Sequence, residues 1–390
     1  MFRDVREQFI LKLVLHIEGI SPVSTPKEIK KILIVRLDSL GDMVLSTPFI
    51  REIRRTYPHA HISLVVRKDV QELFELCPYV NEIFGYESAF NNTFVKSFFR
   101  MKKFITEHSL EGYDLAVVPR WDSDHGYFAG LLAFLSHATN RIGYSETVND
   151  NKKKSDKGYD SFYTDTIASG SHVEHEVERG LDIVNYLGGH VESRNLELWC
   201  SEEDRKKALF LLDYENRKYK KRIALFMTAG SSRREWDKTH FKEVVENILC
   251  SKVCQFVLMG SGKEAEAKAL DMKKRFPGEE VLNLTGKTTL RETYAVLTLC
   301  DIYLGGDTGP MHMAEAAGLN GVVLSCHPIT GSLNHDNSPA RFGPWNPKQM
   351  TVLRPKPMSG CEDGCNHDEA HCINNISVSD VCEIVKQYLR

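Results

Sequence analysis

From Lys31 onward, short continuous apolar runs alternate with longer stretches of helical spacing. KILIVR (31–36), HISLVVR (61–67) and YDLAVVP (113–119) are β-branched runs with little polar face, the pattern of strands buried on both sides of a parallel sheet. Between and after them, MVLSTPFIREIRRTY, DVQELFELC and the stretch around Gly126–Ala138 have helical periodicity, as does HVEHEVERGLDIVNYL (172–187). The segment NDNKKKSDKGYDS (149–161) is polar, basic and aperiodic, and reads as a surface loop. A strongly charged stretch at 195–221 then precedes a second series of apolar runs: RIALFM, CQFVLM, VLNL, DIYL and GVVL. Strand–helix alternation in both halves predicts two open parallel α/β domains with right-handed crossovers. Ligands of such sheets bind beyond the carboxyl ends of the strands, so a cleft between the two domains is expected. At the N-terminus, Val5, Phe9, Leu13 and Ile17 share one face of a helix expected over 4–17. That helix suits packing on the body, and its Arg3, Arg6 and Lys12 also suit a membrane surface or a partner.

A chain of 390 residues exceeds one ordinary core, in keeping with two domains. Fifty basic against 53 acidic residues leave a net charge of −3, which argues against general nucleic-acid binding. MFRDVREQ has four charges and no cleavage site, so no secretory leader is expected. The apolar run near Phe9–Ile17 is interrupted by Lys12 and is too short to span a bilayer. A cytoplasmic protein with reduced thiols is the expectation. Of ten cysteines, Cys361, Cys365, Cys372 and Cys382 crowd into the last 30 residues.

The chemistry is concentrated in the loops after the strands. After KILIVR comes Leu37-Asp38-Ser39-Leu40-Gly41-Asp42. Its Asp42 reads either as a first-turn carboxylate or as a carboxylate placed to take a proton. After RIALFM, the run Thr228–Trp236 combines hydroxyls with Arg233 and Arg234, groups suited to phosphate. After CQFVLM, Gly260-Ser261-Gly262-Lys263-Glu264-Ala265 fits the dinucleotide fingerprint. The acids at the required distance, Glu279 and Glu280, precede the next strand, and this argues against a nicotinamide site. After DIYL, Gly305–His312 ends a strand in glycines, offers Thr308 as a cap and Pro310 for the first turn, and opens an anion-binding helix end. Asp122-Ser123-Asp124 is a D-x-D sequence away from these loops, and His172-x-x-His175 lacks a third ligand nearby; neither reads as a metal site.

Lys31–Thr56 together with Gly305–Ala317 resemble glycosyltransferase family 9, typified by ADP-heptose:lipopolysaccharide heptosyltransferases. The resemblance runs from about Lys31 to the C-terminus. It implies a GT-B fold of two Rossmann-like domains and an inverting transfer that needs no metal. It implies Asp42 as general base, and Asp307, Thr308, Gly309 and His312 at the donor diphosphate. Arg234, two before Trp236, stands where the family usually has Lys; the charge is kept and the geometry changes. Glu264 matches the acid at the nucleoside ribose. Ser231 and Ser232 match the hydroxyl loop to within one position, and Thr288 joins the donor set.

The acceptor is expected to be an anionic lipopolysaccharide core or related glycan. Arg36, Gly41, Arg120, Lys152 and Lys153 are its candidate contacts, and peripheral contact with the inner face of a membrane is a further expectation. The expected division is an N-terminal helix and linker (1–29), an acceptor domain (30–200) and a donor domain with a Cys-rich tail (201–375). A last helix (376–390) is expected to pack back on the first domain. Cys361, Cys365 and Cys372, with His367 and His371 among them, have the crowding of a metal site but match no standard zinc spacing. A structural zinc or iron, reduced thiols and a local disulfide all stay open. Other functions also stay open: transfer to a protein or secondary metabolite, an NAD-dependent oxidoreductase, and a non-catalytic nucleotide-sugar-binding protein. The joint presence of Asp42, Glu264, Asp307 and His312 weighs against the last.

Overall fold

A computed structural model describes residues 28–87, 94–124, 128–168, 173–216, 218–251, 253–365 and 367–390. The helix expected over 4–17 and His172 lie outside them. The chain forms two compact units. The first comprises the chain up to Ser39, Pro48–His172 and Val177–Arg194; the second comprises Leu40–Thr47, Val173–Glu176 and Asn195–Arg390. The division therefore falls at 194/195, slightly before the expected 200/201, and the short helix carrying Gly41 and Asp42 is grouped with the second unit.

The first unit contains β1 (Lys31–Arg36), β2 (His61–Arg67), β3 (Glu82–Tyr86), β4 (Leu115–Val118), β5 (Asn140–Tyr144) and β6 (Asp165–Ile167). They form one parallel sheet in the order β3-β2-β1-β4-β5-β6. Ile32–Val35 are wholly buried, as a central strand covered on both faces requires. The helix Phe128–Leu135 is buried at every position and packs on Leu33, Val35, Ala116 and Val118. An all-apolar helix of this kind needs cover on all sides. The segment expected as a loop at 149–161 instead holds a helix, Asp150–Ser155, and a 3-10 turn, Tyr159–Phe162. The Asn149 side chain caps the helix, and Tyr159 and Phe162 enter the core. The polar run held one buried aromatic, Tyr159, and a second, Phe162, follows directly after it.

The second unit contains β7 (Arg222–Phe226), β8 (Gln255–Met259), β9 (Val281–Asn283), β10 (Ile302–Gly306), β11 (Asn320–Leu324) and β12 (Met350–Leu353). The order is β12-β11-β10-β7-β8-β9, again all parallel. Numbered within its own unit, each sheet reads 3-2-1-4-5-6, the doubly wound Rossmann order. The last helix, Val378–Tyr388, belongs to the second unit: Val381, Cys382 and Val385 join the core of Phe241, Val245 and Ile248. This corrects the expected return onto the first domain. An apolar stripe of a helix settles on the nearest uncovered core, here the helix Lys238–Leu249 and β11. Among the described residues, no helix is long and apolar enough to cross a membrane.

Candidate active site

The second unit gathers most of the candidates at the carboxyl ends of β7, β8 and β10. Strand β10 ends in Gly305-Gly306, and Gly305 has no room for a side chain. A Cβ on Gly305 would lie 2.9 Å from the Phe226 carbonyl oxygen and 2.7 Å from the Tyr303 hydroxyl. Tyr303 donates instead to the Gly306 carbonyl at 2.7 Å. Thr308 occupies the N-cap of the helix Gly309–Ala316, and Pro310 sits in its first turn. Thr308 makes no side-chain cap bond, contrary to expectation; its hydroxyl leans on the Gly306 carbonyl at 3.5 Å. The positive end of the helix is thus not neutralised by its own cap residue, and that suits an anion.

Arg234 ends a short 3-10 turn, Ser232–Arg234, and its guanidinium donates to the Asp307 carbonyl oxygen at 3.4 Å. The two loops after β7 and β10 therefore meet at this arginine. Burial pushes the Asp307 carboxyl up to about 7 against the pull of Arg234. Ser231 opens the same turn and accepts the Arg234 N–H on its carbonyl at 3.0 Å. Ser232 donates from its hydroxyl to the Asp368 carbonyl at 2.9 Å.

Glu264 lies in the first turn of the helix Lys263–Arg275, after Gly260 and Gly262, which take φ of 129° and 89°. Such angles suit glycine. Its carboxylate is exposed and pairs with Lys268 at 3.1 Å, which holds its pKa below the ordinary value. Lys268 also pairs with Glu235, and Glu235 accepts the Ala229 N–H at 2.8 Å. Sequence reasoning missed Lys268 and Glu235, which brace the loop after β7 against the helix after β8. The i,i+4 spacing of Glu264 and Lys268 was the available signal. Thr288 follows β9, its hydroxyl 2.8 Å from that of Thr293.

His312 is buried in the helix Gly309–Ala316. Among the described residues its Nδ1 has no hydrogen-bond partner, and it lies 4.0 Å from the Glu315 carboxylate. Burial, and then the nearby His175, push its pKa down to about 3, so the ring is neutral at physiological pH. Glu315, also missed, accepts the backbone N–H of Trp345 at 3.0 Å and that of Asn346. His175 packs against the Trp345 ring at 4.9 Å and bonds the Gly343 carbonyl at 3.0 Å, a packing role.

The helix Leu40–Leu45, which carries Gly41 and Asp42, crosses the helix Gly309–Ala316 closely. A Cβ on Gly41 would come within 3.1 Å of His312 Cδ2 and 3.5 Å of Gly309 Cα. One on Gly309 would lie 2.9 Å from Leu40 side-chain carbons. The two motifs, more than 260 residues apart in the chain, thus meet glycine to glycine. Asp42 stands half-buried on the first turn of its helix.

The first unit places the remaining candidates differently. Arg36 is buried, pairs with Asp38 at 3.0 Å and donates to the Pro119 carbonyl. Arg120 pairs with the same Asp38 and donates to the Ser123 carbonyl at 2.6 Å and 2.9 Å. Lys152 was expected to face the acceptor; it is instead wholly buried. Its ammonium donates to the carbonyls of Arg120 at 3.0 Å and Asp122 at 3.2 Å, and burial lowers its pKa to about 8. A cation this deep is a brace for the 120–124 turn. Lys153, one residue on, is exposed. In the D-x-D sequence, the Asp124 carboxylate accepts the N–H groups of Ala129 at 2.8 Å and Gly130 at 3.3 Å, a helix-start role.

In the tail, Cys361, Cys372 and His371 come together, and Cys365 is buried in the core of the second unit. All ten cysteines are free thiols.

Two doubly wound parallel domains, with an uncapped helix end and an arginine at the carboxyl edge of the second sheet, define a Rossmann-type nucleotide-binding architecture. The family model for glycosyltransferase family 9 (heptosyltransferase) matches residues 129–371, well over half of the chain, and the chain belongs to that family of transferases. The lipopolysaccharide core heptosyltransferase OpsX of Haemophilus influenzae is 22% identical over 81% of this chain and 82% of its own length. Lipopolysaccharide heptosyltransferase 3 of Escherichia coli is 25% identical over 71% and 76%. A solved glycosyl transferase family 9 structure from Veillonella parvula superimposes with a TM-score of 0.72 at 19% identity, covering 93% of this chain and 97% of that one. The fold is GT-B.

Proposed function

We propose that the protein transfers heptose from ADP-heptose, or a related nucleotide sugar, to a lipopolysaccharide core or similar anionic glycan, with inversion at the anomeric carbon. The single observation that carries the reading is the meeting of Gly41 with Gly309 and His312, which sets the Asp42 helix against the anion-binding helix end. The acceptor hydroxyl oxygen attacks the anomeric carbon and forms the new glycosidic bond. The bond from that carbon to the diphosphate oxygen breaks, and ADP leaves with the electron pair. Asp42 takes the hydroxyl proton as the bond forms. Arg234 and the first-turn amides after Asp307 stabilise the charge growing on the diphosphate. Neutral His312 adds no charge of its own and acts through the shape and polarity of its ring. Glu264 receives the ribose hydroxyls. No metal takes part in the transfer, and omission of Mg²⁺ leaves turnover unchanged. The transfer takes place in the cytoplasm, at the inner face of a membrane where the glycolipid acceptor is displayed.

The test is ADP release and product formation with ADP-heptose and a heptose-deficient core acceptor. Asp42→Asn should lower kcat by about 10²–10⁴-fold, the usual worth of a general base, while ADP still binds. Turnover within a few-fold of wild type would remove Asp42 from the mechanism.

A further inference from the structure

Among its described residues, the tail between β12 and the last helix has a 3-10 turn at Cys372–Asn375 and no other helix or strand. It nevertheless buries three thiols completely or nearly so: Cys361 at 0%, Cys365 at 1% and Cys372 at 0% exposure. Two of them converge on one imidazole nitrogen. His371 Nδ1 lies 3.7 Å from Cys361 Sγ and 3.4 Å from Cys372 Sγ, and all three ligand atoms fall within 4.8 Å of one another. A tetrahedral zinc ion with bonds of about 2.3 Å to sulfur and about 2.0 Å to nitrogen spaces those ligands about 3.5 Å apart. The two sulfur–nitrogen edges, 3.7 Å and 3.4 Å, match that spacing.

The surroundings are those of a ligand set. The Met358 N–H donates to Cys372 Sγ at 3.3 Å, an outer hydrogen bond of the kind that orients a thiolate. The His367 ring stacks on His371 with centroids 4.0 Å apart and planes 26° apart, fixing the imidazole plane with Nδ1 toward the sulfurs.

We propose that Cys361, His371 and Cys372 hold one structural zinc ion. Binding releases the two thiol protons of Cys361 and Cys372 and uses the imidazole in its neutral form. No redox step is involved. The ion would act as a clip, because the tail around it grips the loop after β7. The Asp368 carbonyl holds Ser232, Asn374 accepts the Asp237 N–H at 3.1 Å, and the Ile376 carbonyl accepts Trp236 Nε1 at 3.2 Å. That loop carries Arg234, so the three ligands are positioning residues for the donor arginine.

The first measurement is elemental analysis of the full chain purified without chelator or immobilised metal. About one zinc per chain is expected, falling below a tenth in Cys361→Ser and in Cys372→Ser and unchanged in Cys200→Ser. Because loss of a ligand can also unfold a variant, the wild type is also stripped with a mercurial and chelator and refilled with Co²⁺. Intense tetrahedral visible bands with thiolate-to-cobalt charge transfer are expected. Absence of metal in the wild type together with absence of those bands overturns the proposal, as does a disulfide joining Cys361 to Cys372. One iron per chain in place of zinc overturns the assignment of the ion. The positioning role rests on the transferase reading and is read separately: ADP affinity should fall at least tenfold on stripping and recover with Zn²⁺. Zinc present with ADP affinity unaffected by its removal overturns the positioning role while the site stands.

Discussion

His312 and Asp307 occupy one short stretch, and burial shifts them in opposite directions, each toward its neutral form. His312 is pushed down to about 3, so between about pH 3 and 6.5 the unfolded chain binds a proton there that the folded chain does not. That term makes stability rise with pH and fall as the pH drops below the unfolded value. Asp307 is pushed up to about 7, so between about pH 4 and 7 the folded chain binds a proton that the unfolded chain lacks. That term makes stability fall as pH rises. In the shared window, about pH 4 to 6.5, the two cancel. His312→Gln should therefore leave a stability that declines with rising pH, and Asp307→Asn one that climbs. The difference in slope between the variants approaches about 2.7 kcal/mol per pH unit at most, twice the value of one proton. Denaturant melts of both variants at pH 4.5, 5.5 and 6.5 check this; parallel slopes would refute the opposed titrations.

At the scale of elements, the crossing of the helices Leu40–Leu45 and Gly309–Ala316 depends on two missing side chains. Gly41→Ala gains about 1 kcal/mol of helix propensity and loses about 1–3 kcal/mol to overpacking against His312 at 3.1 Å. Stability should therefore change by less than about 2 kcal/mol. Turnover should fall far more, by about 100-fold, because a shift of about 1 Å in a catalytic group costs that much. Equal losses of kcat and stability would mean that the crossing only packs. Element limits were unevenly legible. Central strands β1, β2, β4, β7, β8 and β10 stood out as apolar runs, since both faces of each are covered. Strands β3, β5, β6 and β12 did not. β3 and β12 are edge strands with half-exposed residues, and β6 is an edge strand of three residues. β5 carries buried Arg141, whose guanidinium donates to the carbonyls of Phe162 and Ala138 and breaks the apolar pattern.

For the whole molecule, the two domains make a single unfolding midpoint unsafe, so ligand linkage is best read on separate transitions. The candidate donor groups Arg234, Glu264, Asp307 and His312 all belong to the second unit. ADP at about 100 times its dissociation constant should raise the stability of that unit by about 2.7 kcal/mol, and UDP or GDP at the same concentration by much less. Calorimetry with each nucleotide checks this, and an equal response to all three would remove the adenine preference from the proposal.

Much of the candidate site was legible because its residues lie within two short motifs. Gly305–His312 ends one strand and starts one helix, so its glycines, proline and histidine announce an anion-binding turn without any partner. Leu37–Asp42 likewise ends β1 and opens a helix, so its Gly41 and Asp42 stood out in the same way. Local backbone geometry and burial of strand faces act over a few residues, and a linear pattern records them directly. The sequence therefore determined two parallel α/β domains, the loops that bear chemistry and the resemblance that orders them. Tertiary structure alone decided which lysine of the 149–161 run is buried, which core receives the last helix, that Lys268 and Glu235 brace the loop after β7, and that Cys361 and Cys372 converge on His371. Those outcomes depend on what lies opposite a side chain in space. A lysine ammonium costs too much to bury unless carbonyls such as those of Arg120 and Asp122 wait for it, and no linear pattern states where those carbonyls will be.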